Sequence, residues 1–248
     1  MNRPAIPWLL LAGLASTAHA QDGGWHYLVE PYMMLPNMKG DTGIGNLPPV
    51  HVDEDPSDIF DNLQIGAMLF VEARNDQWAF SSDVLFMDLE SDISEGVLLA
   101  GGKAEVSQLG WELAAMRRVA PWFELGLGLT YNQIDADVDI AFNGPLASAS
   151  SSLTEDWIDP TLVARATLPF GEKWFFQARA NIGGFGIGSG SDLFWQIQAD
   201  VGYRVSDRWQ ASFGYRVIDI DYDHGSGADR FVYDMQTFGP VLKVGYSF

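Results

Sequence analysis

Asp221-Tyr222-Asp223-His224-Gly225-Ser226 is the one stretch where acids, an imidazole and a hydroxyl sit together. Those residue types could make a hydrolase: a hydroxyl nucleophile, a base that takes its proton, and a carboxylate that orients the base. The spacing argues against it. Neighbours within one loop rarely converge on a single reacting atom, and the Gly/Ser composition suits a plain turn. His26 and His51 have no such company. No zinc pattern, phosphate-binding loop or dinucleotide fingerprint occurs. Asp53-Glu54-Asp55-Pro56-Ser57-Asp58 is acidic enough to suggest calcium. It lacks the glycine and closing glutamate of an EF-hand loop, so a solvated loop is expected. No catalytic, cofactor-binding or metal-binding residue is assigned.

A second set of polar residues is placed by period-2 alternation, the mark of a strand. In the last twelve residues Phe238, Pro240, Leu242, Val244, Tyr246 and Phe248 share one face. Thr237, Gly239, Val241, Lys243, Gly245 and Ser247 share the other. The same alternation recurs near 25–36, 62–74, 78–92, 104–118, 122–139, 155–169, 174–187, 195–204 and from 209. That makes about ten strands, with eight or twelve also compatible, each long enough to cross a bilayer. Tight turns at 74–77, 119–121, 170–173 and 206–208 alternate with longer connections at 37–61, 93–103, 141–153 and 223–230. The connection at 188–191 is a short exception.

The polar faces are rich in small residues and hold few charges. Inward acids are Glu30, Glu72, Asp83, Glu112, Glu124, Asp159 and Asp200; inward bases are Arg165, Arg179, Arg204, Arg216 and Lys243. Opposite signs in comparable numbers predict a paired, filled interior, because a buried charge needs a partner. Aromatics collect beside the tight turns and termini: Trp25, Trp78, Trp122, Trp174, Trp209 and Phe248. An aromatic girdle at a membrane surface has that arrangement.

Composition narrows the choice. Lys+Arg number 14 and Asp+Glu 33, a net charge of −19. A basic nucleic-acid footprint is therefore absent. There is no cysteine, hence neither a disulfide framework nor a lipidated cysteine. Residues 1–20 read as a cleaved signal peptide: Arg3, an apolar run from Ile6 to Leu14, and Ala18-His19-Ala20 before the cut. Residues 21–248 then form a single domain.

The chain resembles small Gram-negative outer-membrane β-barrel proteins, mostly uncharacterised. The resemblance is carried by the closing strand that ends on Phe248, and by Trp25…Glu30-Pro31-Tyr32, Gly183-Gly184-Phe185-Gly186, Trp195-Gln196 and Gly214-Tyr215-Arg216. It implies an all-β fold, a transmembrane antiparallel up-and-down barrel. It also implies export through the periplasm, the barrel-assembly machinery as a partner during biogenesis, and outer-membrane lipids and lipopolysaccharide as surroundings. A monomer is expected, with no nucleic acid bound. Ten-stranded outer-membrane proteases place Asp pairs and an Asp–His pair at the barrel top, but the spacing around His224 does not match that pattern.

Three function classes follow, in order of preference. They are a structural or surface-interaction barrel with a filled interior, a narrow channel for small solutes, and a surface enzyme acting on lipid or peptide. Outward faces turn acidic at Asp88, Glu90 and Asp92, at Asp135, Asp137 and Asp139, and at Asp219, Asp221 and Asp223. The turn should mark the edge of the hydrocarbon. No cofactor is expected, although these acids could share Ca²⁺ or Mg²⁺ with lipopolysaccharide phosphates.

Overall fold

The structure is a computed structural model that describes residues 24–46, 48–93, 99–142 and 148–248. The expected signal peptide lies outside the described residues. Ten antiparallel strands close into a barrel: β1 (His26–Met34), β4 (Leu63–Arg74), β5 (Trp78–Ile93), β6 (Leu99–Ala120), β7 (Phe123–Phe142), β8 (Ala149–Phe170), β9 (Trp174–Gly184), β10 (Leu193–Arg204), β11 (Trp209–His224) and β12 (Phe231–Ser247). β1 pairs with β12 and shuts the cylinder. This pairing leaves neither β1 nor β12 as a free terminal edge of the spanning wall, where hydrocarbon could not satisfy it.

The stretch 37–61 is a correction to the expected loop. It contains β2 (Asn37–Ile44), β3 (Val50–Glu54) and α1 (Pro56–Asn62). β2 continues β1 past Pro36 and pairs with β12 from Phe238↔Asn37 to Phe231↔Ile44. Asn-Met-Lys-Gly-Asp-Thr-Gly-Ile has almost no alternation to reveal it; its extended form follows from a partner strand already in place. The acidic loop also gains a task. The Asp55 carboxylate caps α1 by accepting from the backbone N–H of Ser57 (2.7 Å) and Asp58 (3.2 Å), and Asp58 returns the bond to the Asp55 N–H. That reciprocal pair is a capping box.

β9 also ends earlier than its alternation suggests. Gly184, Phe185, Gly186 and Gly188 all have positive φ. A side chain on Gly184 would lie 2.5 Å from the Ser191 carbonyl oxygen. Left-handed backbone cannot continue a strand, so the β9–β10 hairpin turns at this point.

Strand lengths then divide the barrel into two storeys. β1, β4, β9 and β10 have 9 to 12 residues, about what one bilayer crossing needs. β6, β7 and β8 have 20 to 22. Past the short strands the wall survives as two arcs, β5-β6-β7-β8 and β11-β12-β2-β3. Among the described residues, β8 has no strand partner on its β9 side beyond Thr161↔Gly183. α1 packs against β5 on the opposite flank.

The faces exchange at the storey boundary. On β12 the lipid-facing row Leu242, Pro240, Phe238 becomes Gln236 and Asp234, while the inner row Lys243, Gly239, Thr237 becomes Met235, Tyr233 and Phe231. On β11 the outer row Phe213, Tyr215, Val217 becomes Asp219, Asp221, Asp223 and the inner row Arg216 becomes Ile218, Ile220, Tyr222. Outside the membrane the two arcs therefore pack as a sandwich around a dry core, as sheets do in water. Trp157 on β8 stacks on Tyr222 of β11 with centroids 4.1 Å apart at 12°. Ile134, Phe194, Ile220, Phe231, Tyr233 and Met235 join them in that core. A uniformly polar interior was expected; its far half is apolar because water, not lipid, wets the outside there.

Trp157 is 1% exposed. Trp157→Ala is expected to lower unfolding free energy in vesicles by about 3–5 kcal/mol, read from urea titration. A change within about 0.5 kcal/mol, the range of ordinary surface substitutions, would mean that the arcs do not pack on one another.

Candidate functional site

The inward charges of the membrane storey are brought together in two layers. Nearest the termini, Arg165 lies between Glu72 and Glu124. It donates from Nη1 to Glu72 and from Nε to Glu124 (2.6 Å), and its Nη2 lies 2.5 Å from the same Glu124 carboxylate. Arg74 adds a bond to Glu124 (2.8 Å) and lies 3.5 Å from Glu72; Arg118 lies 3.8 Å from Glu124. Arg165, Glu72 and Glu124 are all buried.

The second layer crosses the bore on six strands. Arg179 (β9) and Asn181 donate to Glu112 (β6). Gln196 (β10) also donates to Glu112, at 3.2 Å. Arg216 (β11) donates to Gln196 at 2.7 Å and to the Tyr32 hydroxyl (β1) at 3.0 Å, and lies 3.1 Å from Asp83 (β5). Tyr32 donates to Asp83 at 2.8 Å. Guanidinium groups suit such work because their fixed fork serves several acceptors at once.

Two smaller pairs sit beside these layers. Lys243 lies 3.5 Å from Asp200, which also accepts from Gln198 at 2.9 Å. Glu30 accepts from Gln210 at 2.6 Å. Arg204 faces inward as expected, at the exposed mouth of the barrel 5.5 Å from the Phe175 ring, and takes no part in the two layers. Arg74, Arg118 and Tyr32 belong to the network and were not expected there. Tyr32 shares its face with Glu30, so strand parity was the signal available for it.

Asp159 is fully buried, and among the described residues no cation pairs with it. It accepts from the Ser191 N–H (2.6 Å) and hydroxyl (2.9 Å), from Asn132 (3.0 Å) and from the Trp157 indole (3.1 Å). Four donors meet the demand of a buried carboxylate. They also tie the β9–β10 turn to the free edge of β8.

The cavities match this layering. One of about 140 Å³ opens at the terminal end and stops at Arg165, Glu72 and Lys243. Another of about 40 Å³ lies between Arg216 and Ile220, with room for water and little else. Past it stands the aromatic core.

His224 and its neighbours do not assemble. Asp221 and Asp223 lie on the outer parity of β11 and His224 on the inner, so the strand itself separates acid from imidazole. Both Asp223 oxygens are taken by Arg230, from Nε (2.9 Å) and Nη2 (2.6 Å), which holds that carboxyl below the usual range. Among the described residues no hydrogen bond joins His224 to Ser226. Three of the outward acids are likewise engaged: Glu90 with Lys103, Asp135 with Gln133 and Thr154, and Asp219 with Gln236. The side chain of Asp92 lies outside the described residues. Among the described residues no group of three or more His, Asp or Glu is placed to hold a metal ion.

No protein-family model matches the chain, and no curated protein matches it. The chain is similar, at low identity, to several solved structures. The Ail attachment-invasion protein of Yersinia pestis, in complex with the heparin analogue sucrose octasulfate, has TM-score 0.39 and 10% identity over 91% of this chain and 99% of its own. A Pseudomonas aeruginosa FadL homologue has TM-score 0.36 and 10% identity over 90% of each chain. The translocator domain of autotransporter NalP from Neisseria meningitidis has TM-score 0.35 and 12% identity, over 93% of this chain and 90% of its own.

Removing Arg165 would leave Glu72 and Glu124 buried beside the half-exposed Arg74 and Arg118. Arg165→Ala is expected to cost about 3–5 kcal/mol, and Arg165→Lys less. The check is reversible urea unfolding in vesicles. Equal stability of the alanine variant and the native chain would show that the network is wet and dispensable.

Proposed function

We propose that this chain is a Gram-negative outer-membrane barrel whose bore is sealed, and whose role is exercised by the surface it displays outside the cell. Its termini face the periplasm, through which it is exported. It folds with the barrel-assembly machinery and works as a monomer among outer-membrane lipids and lipopolysaccharide. The observation that carries the reading is the double closure of the bore. Two charge-compensated layers fill the membrane storey, and an aromatic core fills the storey beyond it.

The physics favours closure over conduction. A cation channel needs a ring of one sign with ion sites weak enough to release. Here Glu112 accepts from Arg179, Asn181 and Gln196, and Arg216 faces Asp83. An ion entering either layer would have to displace a partner already in place. An apolar core beyond them offers no hydration at all. The outer parity of β11 separates Asp221 and Asp223 from His224, which supports a role without catalysis.

Purified protein in a planar bilayer should give no stable single-channel steps. Ion-selective steps in the native chain would overturn the proposal and promote a narrow channel. For the catalytic alternative, His224→Ala and Ser226→Ala should leave the cell-envelope phenotype unchanged; loss of a lipid- or peptide-cleaving activity in either would make the enzyme reading primary.

A further inference from the structure

β1 and β4 are paired only from His26↔Arg74 to Pro31↔Leu69. Past that point they part, while each keeps its other neighbour: Met33 pairs with Leu242 and Gly66 with Met87. The donors show the parting. The Met34 N–H meets no carbonyl across the seam and donates to the Met68 Sδ at 3.3 Å. Two residues on, Pro36 has no N–H to satisfy. Neither the Met34 N–H, satisfied by sulfur, nor Pro36, which has none, holds the seam shut.

A cavity of about 180 Å³ occupies the opening, lined by Met33, Met34, Ile59, Phe60, Leu63 and Met68 among others. α1 contributes buried Ile59 and exposed Phe60. The slit lies within the lipid-facing band. Met33 and Leu35 are 50% and 40% exposed beside Leu242 and Pro240. Its far rim is Ile65, the register partner of Asp88, where the outer face of β5 turns acidic. What meets the slit from outside is therefore hydrocarbon.

We propose that the slit holds one acyl chain of a lipid from the surrounding leaflet. The chain lies along the seam with its end toward Met34 and Met68. Unbranched, polarizable methionines adapt to a flexible alkyl chain. Water is a poor occupant of an apolar cavity, since it needs two to four polar partners. A protein partner would need an interface of about 1,000 Å² or more, far beyond a slit one side chain wide. The proposal does not depend on whether the bore conducts.

The test uses the full chain folded in vesicles that contain phosphatidylcholine with a diazirine near the end of one acyl chain. After irradiation, cross-links should concentrate several-fold on 33–35 and 59–68 relative to Leu125, Leu127 and Leu129 elsewhere on the wall. Gly66→Leu places a side chain in the slit. The nearest atom to its Cβ is Leu63 Cδ2 at 3.5 Å, an ordinary contact. This variant should lower labelling of the seam several-fold and leave Leu125–Leu129 unchanged. Even labelling around the native barrel, or seam labelling unaffected by Gly66→Leu, would overturn the proposal. Should that variant fail to fold, the native distribution and Met68→Phe decide it by the same criteria.

Discussion

A strand that leaves hydrocarbon for water must exchange which of its faces is apolar. Inside the bilayer the outer face is wetted by lipid and the inner face can be polar. Beyond it the outer face is wetted by water, and the inner face must then supply a core. The chain meets this constraint without a break in β5, β6, β7, β8, β11 or β12. Val217 and Asp219 lie two residues apart on one face of β11 and serve two solvents. Arg216 and Ile218 make the reciprocal change on the inner face.

Everything else in the molecule depends on that exchange. The four short strands end near the boundary because only the membrane storey needs a closed cylinder. Water can satisfy a free strand edge; hydrocarbon cannot. The exposed edge of β8 and the terminal edge of β3 are thus tolerable only outside the bilayer. Asp159 and α1 close the flanks at the boundary, one by holding the β9–β10 turn and the other by packing on β5.

Much of this was legible in the sequence, and the missing parts share a cause. Strand parity placed the lipid face and the inward charges, because a two-residue period is a local property of the chain. Which acid meets which base was not legible: Arg165 and Glu72 are 93 residues apart, and shear sets their meeting. The β2–β3 hairpin was hidden because its Gly- and Asp-rich sequence takes its form from β12. The acidic run Asp219, Asp221, Asp223 was legible as a boundary. Its inner counterpart Ile220 and Tyr222 carried the same message about a second, dry core, and the expectation of a polar interior obscured it.

The face exchange itself can be measured directly, since the chain contains no cysteine and each introduced thiol reports alone. Single cysteines at Tyr215, Val217, Asp219 and Asp221 sample the outer face of β11, and those at Ile218, Ile220 and Tyr222 the inner. Treated in vesicles with a small membrane-impermeant maleimide, Asp219→Cys and Asp221→Cys should react, while Tyr215→Cys and Val217→Cys stay protected by lipid. The three inner positions should stay protected by the core. Rapid labelling at Ile220→Cys and Tyr222→Cys would show a wet lumen beyond the membrane and contradict the account.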